Sequence, residues 1–421
     1  MQRLSNGPLI VALAVAMVGI HLAVPQQKKR WRGLLIPACL YVLLLAFASS
    51  MHEEARIAVL GFTYSIVLLV AHFLWADANR HLTISNLLLY VLTCFGLVSG
   101  NVLCVALAGL ISLGSGYFLE KGQELRGKSW YMLGNILLIG LALVMMYDDL
   151  DGFDLHGGSP IRGETLAMFS LAALFRLGVV PFHGYMLQRI RRYGFPALIA
   201  VVNPLGYLLP LLLVLKAEIA PSTDYYEDAV LLLGLGVSWY FALASFSEKT
   251  FELFVYYVFA SIAALAISAL PMLGIEFELA GVYFFASTTI GTVGLMVCLH
   301  YFRVRYGLHE VQPLMGMFAA DKRIGFLFIF FIFSIGCMPL TMSYLGEDVM
   351  LYQLFVFHPL IGIGALGVLS LISISLYRFY TDVFGGPWPN YPRFALLIHE
   401  RIALGIVLAA GLAMPVLSFW L

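Results

Sequence analysis

Long apolar segments separated by short polar ones run along the whole chain. A helix that crosses the hydrocarbon core of a bilayer needs roughly 20 mostly apolar residues, and by that rule the pattern predicts about fourteen spanning helices. They lie near 8–25, 33–51, 56–75, 83–99, 101–119, 128–147, 164–192, 195–215, 228–246, 251–273, 279–301, 323–357, 358–380 and 400–420. We therefore expect an all-α, polytopic membrane protein with a single transmembrane domain over residues 1–421.

Two of these segments, 164–192 and 323–357, are too long for one straight span, and each contains a proline. Proline lacks the backbone N–H of a helix and clashes with the preceding turn, so we expect helix 7 to break at Pro181 and helix 12 at Pro339. Gly346 is expected to add to the second break, because glycine allows an unwound backbone. Backbone groups freed at membrane depth need protein or water around them, so both breaks are expected to face inward.

Charged residues in the predicted loops are distributed asymmetrically. Lys and Arg concentrate on the cytoplasmic side of membrane proteins. If the N-terminus is outside, the inner loops hold most of the 24 basic residues, including Lys28, Lys29, Arg30, Arg32, Arg80, Lys121, Arg126, Arg189, Arg191, Arg192, Arg303, Arg305, Lys322 and Arg323. The acidic clusters then fall in the outer loops. This alternation predicts an even number of helices with both termini on the outer side.

Composition agrees with a lipid environment and narrows the chemistry. Hydrophobic residues make up 61% of the 421 residues and charged residues 11%, against about 25% charged residues in soluble domains. The net charge is zero, which gives no argument for nucleic-acid binding. None of the five cysteines has metal-ligand spacing, and the sequence has no nucleotide-binding or hydrolase motif. We expect no metal, no cofactor and no catalytic residue, and at most a translocase subunit driven by a partner.

Ionisable residues inside apolar segments are the candidates for function, because a charge at membrane depth costs a few kcal/mol even on insertion scales. Arg176 and His183 flank Pro181 and lie about two helical turns apart. Each also has a purely structural interpretation. Arg176 could be a buried ion-pair partner that holds helices together, and His183 a core histidine with satisfied hydrogen bonds.

Two further pairs of charged residues stand close to apolar segments. Glu347 and Asp348 follow the second proline break, and the apolar residues on both sides favour a functional role for Glu347. The alternative is that both acids are solvated in an outer loop. Lys249 and Glu252 lie at the mouth of helix 10, where their spacing allows a local ion pair. The alternative for them is a solvated helix end.

Several segments resemble one family of membrane subunits. The run that begins at Arg176, RLGVVPFHGYM, resembles the seventh-helix motif of the antiporter-like subunits of respiratory complex I and of Mrp-type antiporters, in which a lysine precedes PFH. GCMPLTMSYLGEDVML is similar to their broken twelfth helix, AGLISLGSGYFL to their fifth helix, and HEVQPLMGMFAADKRIG to the loop before the twelfth helix. The resemblance covers about 100–380, which we take as the core antiporter-like region.

In that family, lysine, histidine and glutamate side chains at the bilayer midplane form a chain that passes protons. The resemblance implies that Arg176 replaces the seventh-helix lysine, that Glu347 occupies the twelfth-helix position and that Lys249 corresponds to the tenth-helix lysine. Together with the residues singled out above, the predicted proton pathway comprises Arg176, His183, Lys249, Glu252, Glu347 and Asp348.

The sequence also departs from the family pattern. Gly109 stands where the family has its fifth-helix glutamate. The eighth-helix histidine position falls near Val202 or Asn203, and the eleventh-helix HAFFK reads TTIGT over 288–292. Arginine is not equivalent to lysine at residue 176, because a buried lysine can release its proton and an arginine essentially cannot.

The resemblance implies a proton-conducting, energy-coupling subunit of a larger complex in the cell inner membrane. Glu347 would exchange protons, His183 and water would relay them, and Arg176 would act as a fixed charge. The expected partners are other complex I-like membrane subunits or, as in bacterial inorganic-carbon uptake, a zinc-containing cytoplasmic protein similar to carbonic anhydrase. The alternatives are a stand-alone transporter of a solute or anion and a degenerate, non-conducting scaffold subunit.

Overall fold

The computed structural model describes residues 103, 106, 110, 128–150, 161–178, 183–202, 219–220, 225–273, 277–312, 315–337, 341–387, 401 and 404–412. The predicted helices from 8–25 to 83–99 lie outside these residues. Of the next predicted helix, 101–119, residues 103, 106 and 110 are described and are helical. The number of fourteen helices and the orientation of the termini therefore stay predictions.

The described chain is almost entirely helical. Its helices are α1 (Lys128–Leu150), α2 (Gly163–Leu177), α3 (His183–Tyr193), α4 (Phe195–Val202), α5 (Tyr225–Ser247), α6 (Phe251–Leu273), α7 (Phe277–Tyr306), α8 (Met317–Ala320), α9 (Lys322–Ile335), α10 (Met342–Phe357) and α11 (Pro359–Phe384). Residues 404–412 are also helical. The short strands β1 (Ile161–Arg162) and β2 (Ile219–Ala220) pair in parallel and join the segments that precede α2 and α5.

Among the described residues, five helical stretches are long and apolar enough to cross a membrane: Ser129–Asp149, Asp228–Ser247, Phe251–Leu270, Phe284–Tyr306 and Pro359–Phe384. Large apolar side chains are exposed on the outer helices. Trp130 and Leu137 on α1 and Leu360 and Tyr377 on α11 are each more than half exposed. An apolar surface of this kind is stable against lipid and unstable against water. The chain is a multi-pass membrane protein of the all-α class.

Helix α6 is the centre of the described bundle. Every residue from 251 to 270 is buried, and the helix packs against α2, α5, α7 and α10. Its closest neighbour is α5, where Gly234 leaves no room for a Cβ against Ser268. Ser238 and Ser261 each donate a hydrogen bond of 2.7 Å to the other's backbone carbonyl. Small residues and hydroxyl hydrogen bonds are what hold helices together where lipid removes the hydrophobic drive between them.

Both long segments are divided, as predicted. Helices α2 and α3 occupy the predicted helix 7, and α9 and α10 occupy the predicted helix 12. The prediction that Gly346 contributes to the second break is wrong, because this residue is buried inside α10. The backbone bends before that helix begins, so Gly346 has ordinary helical neighbours on both sides. Helix α7 also continues to Tyr306, beyond the predicted end at residue 301.

Candidate functional site: two interrupted helices around a central helix

The first break lies between α2 and α3. Helix α2 ends at Leu177, and Gly178 follows with a positive φ of 89°, where its N–H donates to the Phe175 carbonyl over 3.0 Å. The left-handed backbone at Gly178 costs glycine little and is a common way to end a helix. Residues 179–182, including Pro181, lie outside the described residues, and the chain resumes as a helix at His183.

Two tyrosines satisfy the carbonyl groups that this break leaves without helical donors. The Tyr131 hydroxyl, from α1, donates to the Arg176 carbonyl over 2.6 Å. The Tyr256 hydroxyl, from α6, donates to the Leu177 carbonyl over 2.7 Å. The last carbonyls of a helix need such partners, and lipid cannot supply them. Sequence reasoning missed both tyrosines, because a tyrosine in an apolar helix looks like any other core aromatic residue.

Arg176 lies in the last turn of α2, and its relative exposure is 7%. The carbonyl end of a helix carries a partial negative charge, which favours a cation there. This placement agrees with both interpretations of Arg176, a structural cation and a fixed charge beside a proton path. The rings of Tyr131 and Tyr185 pack 4.9 Å apart next to the break.

His183 is the first residue of α3 and is partly buried. Its Nε2 lies 3.1 Å from the Tyr240 hydroxyl of α5, and the two rings meet edge to face. Its Nδ1 is buried and has no hydrogen-bond partner within the described part of the chain. An imidazole has two nitrogens that exchange donor and acceptor roles on protonation. Among the described residues, only one of the two ring nitrogens of His183 therefore has a hydrogen-bond partner.

The second break lies between α9 and α10. Helix α9 ends at Ile335, and Cys337 has a positive φ of 52°, which is strained for a residue with a side chain. Residues 338–340, including Pro339, lie outside the described residues. The Ser343 hydroxyl donates to the Ser334 carbonyl over 2.7 Å, so this break also satisfies a freed carbonyl with a side chain. Thr341 and Ser343 share a further hydrogen bond of 2.8 Å.

The two acids that follow this break lie next to each other in α10 and point in different directions. Glu347 is partly buried. Asp348 is exposed, as expected for the next position on a helix, which points about 100° away. The solvated interpretation therefore fits Asp348, and Glu347 is the acid that faces the protein.

The local ion pair that the spacing of Lys249 and Glu252 allowed does not form, because Glu252 pairs with another residue. Glu252 is only 5% exposed and pairs instead with Arg303, which lies near the end of α7. A carboxylate at the first turn of α6 gains from the helix dipole, and the guanidinium neutralises it when it is removed from solvent. Lys249 is exposed just before α6. Gly194, between α3 and α4, has a positive φ of 64° and lies against the ion pair.

Lys249 lines a small cavity at the same end of the bundle. The cavity is also lined by Glu248, Arg378 and Asp382. Its volume is about 20 Å³, which is room for one water molecule. Arg378 pairs with Asp382, with 3.5 Å between Nε and Oδ2. Charged groups of both signs thus surround a water-sized space where α5, α6 and α11 meet.

Hydroxyl groups occupy the core between the two breaks. Ser261 and Ser268 on α6 and Thr288, Thr289 and Thr292 on α7 are all buried. The hydroxyls of Thr288 and Thr289 have no hydrogen-bond partner in the described part of the chain. Buried polar atoms left in this way are typical binding points for ordered water.

Ionisable groups are scarce in the same core. Within the described ranges, Arg176 and Glu252 are the charged residues with less than 9% exposure, and no group of three or more His, Cys, Asp or Glu residues there could hold a metal. Val202, one of the two residues near the family's eighth-helix histidine position, is buried. The other, Asn203, lies outside the described residues, as does Gly109 at the fifth-helix glutamate position.

Comparison with known proteins gives related sequences and related folds. No family model matches the sequence. NADH-quinone oxidoreductase subunit M of Buchnera aphidicola subsp. Schizaphis graminum is 24% identical over 237 residues, which are 55% of this chain and 47% of the relative. The same subunit from Buchnera aphidicola subsp. Baizongia pistaciae is 25% identical over 276 residues, which are 61% of this chain and 52% of the relative. The chain thus spans about half the length of these curated relatives.

Solved structures share the fold over nearly the whole chain. A chain of respiratory complex I from Thermus thermophilus with bound NADH superposes with a TM-score of 0.75 at 15% identity, covering 98% of this chain and 96% of its own length. A chain of the Mrp complex from Dietzia sp. DQ12-45-1b gives 0.64 at 14% identity, covering 99% and 93%. A chain of the archaeal membrane-bound sulfane sulfur reductase gives 0.75 at 12% identity, covering 97% and 75%. The chain is therefore similar in sequence to subunit M of NADH-quinone oxidoreductase, and it shares its fold with chains of respiratory complex I and of the Mrp complex.

Proposed function

We propose that this chain is a membrane subunit of a proton-translocating complex and that protons cross it by way of the two interrupted helices. The observation that carries the proposal is that the two breaks share the same two features. Each interrupts a membrane helix and carries an ionisable side chain beside it, His183 in one case and Glu347 in the other. Both broken helices pack against α6. Broken helices with ionisable groups are a recurrent feature of ion-translocating membrane proteins.

The depth of the two breaks supports access from opposite faces. Helix α2 has 15 residues and starts at the end of the bundle that carries Asp149, Glu164 and Asp228, which we call the acidic end. Helix α9 has 14 residues and starts at the opposite end, beside Lys322 and Arg323, the basic end. Each rises about 21–22 Å within a hydrocarbon core of about 30 Å. The first break therefore lies nearer the basic end and the second nearer the acidic end.

His183 and Tyr240 form the relay at the first break. A proton that reaches Nδ1, for which the described residues supply no hydrogen-bond partner, can leave from Nε2 toward the Tyr240 hydroxyl, 3.1 Å away. The charged, water-sized cavity beside Lys249 supplies the proton entrance at the basic end. Water bound at the partnerless hydroxyls of Thr288 and Thr289 continues the path toward the second break.

Glu347 is the exchangeable group of this path, and Arg176 is a permanent charge that biases it. A guanidinium stays protonated in proteins, so the positive charge of Arg176 disfavours protonation of nearby groups, and Arg176 does not pass a proton itself. Arg176 also lies at the carbonyl end of α2, where the helix dipole disfavours an anion. This position weighs against the alternative in which Arg176 binds the anion of a stand-alone transporter.

The decisive experiment compares two neighbouring acids. We expect Glu347→Gln to abolish proton transport by the intact complex in proteoliposomes, because the amide keeps the shape and removes the exchangeable proton. Asp348→Asn is the matched control, and we expect it to leave transport within about twofold, since the Asp348 side chain is exposed on the surface of the chain, whereas Glu347 is partly buried. Equal transport by the two variants, with normal assembly, contradicts the proposal.

Replacements of Arg176 test its separate role. We expect Arg176→Ala to lower transport and Arg176→Lys to restore it only in part, because a buried lysine can lose its charge. The pH profile of transport gives the readout. A profile for Arg176→Lys that coincides with the wild-type profile would show that a permanent charge is not required.

A more specific form of the proposal concerns the partner and the membrane. We place the chain in the cell inner membrane, together with complex I-like membrane subunits or with a zinc-containing, carbonic-anhydrase-like cytoplasmic protein of an inorganic-carbon uptake system. Purification of the tagged chain from its own cells distinguishes these partners. Co-purified quinone-binding and iron–sulfur subunits support the first, and a large zinc protein supports the second.

A non-conducting scaffold is the second candidate function. The observation in its favour is the scarcity of ionisable side chains between the breaks, where Thr288, Thr289 and Thr292 stand in the region of the family's charged eleventh-helix motif. In that case Glu347→Gln leaves transport unchanged, while disruption of the helix packing lowers assembly of the complex.

A further inference from the structure

A cavity lies between α1, α2 and α5, close to the acidic end of the bundle. It encloses about 470 Å³ and is lined by Met145, Glu164, Met168, Leu171, Ala229 and Leu233 together with two further apolar side chains. Small-molecule sites in proteins have volumes of about 300–1,000 Å³. Ala229 and Leu233 are exposed on α5, so the cavity opens sideways from the bundle. We call it the side cavity.

Among the described residues that line the side cavity, Glu164 is the single ionisable one. Arg162 attracts Glu164 electrostatically, but its Nε donates a hydrogen bond to the Asp149 carboxylate over 2.5 Å. This hydrogen bond also raises the pKa of Arg162. Among the described residues Glu164 makes no direct ion pair, and three carboxylates, those of Asp148, Asp149 and Glu164, act on the one guanidinium of Arg162, so negative charge exceeds positive charge at the rim of this apolar space.

We propose that the side cavity binds a membrane lipid with a primary ammonium headgroup. One acyl chain fills the apolar part, and the ammonium donates hydrogen bonds to the Glu164 carboxylate. The depth fits this arrangement. Helix α2 begins at Gly163, so Glu164 lies at the headgroup level, and Met168 and Leu171 lie about one and two turns deeper.

The medium outside the side cavity also favours a lipid. The opening is on α5, whose residues Asp228–Ser247 are apolar enough to cross the bilayer, so hydrocarbon meets Ala229 and Leu233. An acyl chain can enter from there without crossing water. The charge of Glu164 selects among headgroups, because an ammonium complements it and an anionic phosphoglycerol headgroup is repelled.

The test measures lipid retention by native mass spectrometry of the full chain with its co-purifying subunits. The protein is exchanged into phosphatidylethanolamine, phosphatidylcholine or phosphatidylglycerol, and we expect retention to fall in that order. Glu164→Gln should lower phosphatidylethanolamine retention about fivefold, the effect of losing a partly exposed ion pair, and leave phosphatidylglycerol retention unchanged or higher. Ala229→Phe fills the cavity and should lower retention of all three lipids.

Leu232→Phe is the matched control for Ala229→Phe. Leu232 is 57% exposed on the same helix and lies outside the lining, so its replacement should not change retention. Equal retention of the three lipids, or no effect of Glu164→Gln, overturns the headgroup assignment. Unchanged retention in Ala229→Phe, or a partner subunit seated in the cavity, overturns lipid binding altogether. None of these readouts depends on proton transport.

Discussion

At the scale of single residues, the two breaks depend on side chains that replace missing helical hydrogen bonds. The hydroxyls of Tyr131 and Tyr256 come from different helices and reach two consecutive carbonyls, those of Arg176 and Leu177. At the other break the Ser343 hydroxyl does the same for the Ser334 carbonyl. An unpaired carbonyl in lipid costs several kcal/mol. These hydroxyls therefore fix where each helix stops.

Removal of one of these hydroxyls tests this role. We expect Tyr256→Phe to lower the free energy of unfolding by about 1–3 kcal/mol, because the Leu177 carbonyl loses its donor while the ring keeps its packing. Denaturation in mixed micelles, followed by circular dichroism, measures the change. Tyr257→Phe is the control, since Tyr257 is the next residue of α6 and has no described hydrogen bond through its hydroxyl. A loss of similar size in both variants contradicts the assignment.

At the scale of helices, the pair Glu252–Arg303 joins three elements at the basic end. Glu252 lies in the first turn of α6, Arg303 lies in the last turn of α7, and Gly194 connects α3 to α4 beside them. A Cβ at Gly194 would lie 2.7 Å from Arg303 Nη1 and 3.3 Å from Glu252 Oε1. The turn that follows the helix carrying His183 thus packs closely against this ion pair.

Gly194→Ala tests the contact between the ion pair and the turn. Any side chain at a positive φ costs about 1–2 kcal/mol, and at residue 194 displacement of Arg303 adds to that cost. Gly307→Ala is the matched control, because Gly307 has a φ of 66° and nothing within 4 Å of its Cβ position. We expect the larger loss of stability for Gly194→Ala, measured by thermal unfolding in detergent.

The Glu252→Gln background gives the second arm of this comparison. With the ion pair already weakened, Gly194→Ala should cost less than it does in the wild-type chain, and Gly307→Ala should cost the same in both. Costs that add without interaction would show that the turn and the ion pair act independently.

At the scale of the whole molecule, hydropathy predicts the helices well because lipid imposes one simple requirement on every spanning segment. The predicted segments 228–246, 251–273 and 358–380 appear as α5, α6 and α11 with nearly the same bounds. Pro181 and Pro339 likewise indicated, in the sequence, which two segments are divided. Contacts between distant segments were not predictable in this way. The partner of Glu252 is a residue of the following helix, far along the chain, and local spacing pointed to Lys249 instead.

The distribution of charge over the two ends of the bundle leads to a prediction for its orientation. Asp149, Arg162 and Thr165 meet at the acidic end, whereas Glu252 and Arg303 meet at the basic end together with Gly194. The basic end also carries seven further cationic residues: Arg191, Arg192, Lys249, Arg305, Lys322, Arg323 and Arg378. Because positive charge stays on the cytoplasmic side, we expect the basic end inside the cell and the acidic end outside.

Single-cysteine labelling tests this orientation in a chain whose five native cysteines are replaced. Asp148→Cys and His309→Cys each place a thiol at an exposed residue, the first at the acidic end and the second at the basic end. A membrane-impermeant maleimide should label Asp148→Cys in intact cells and His309→Cys only after the membrane is opened. The reverse pattern would invert the bundle. It would then require the basic residues to face outward, against the bias that sets the topology of short loops, and it would move the water-sized cavity beside Lys249 to the outer face.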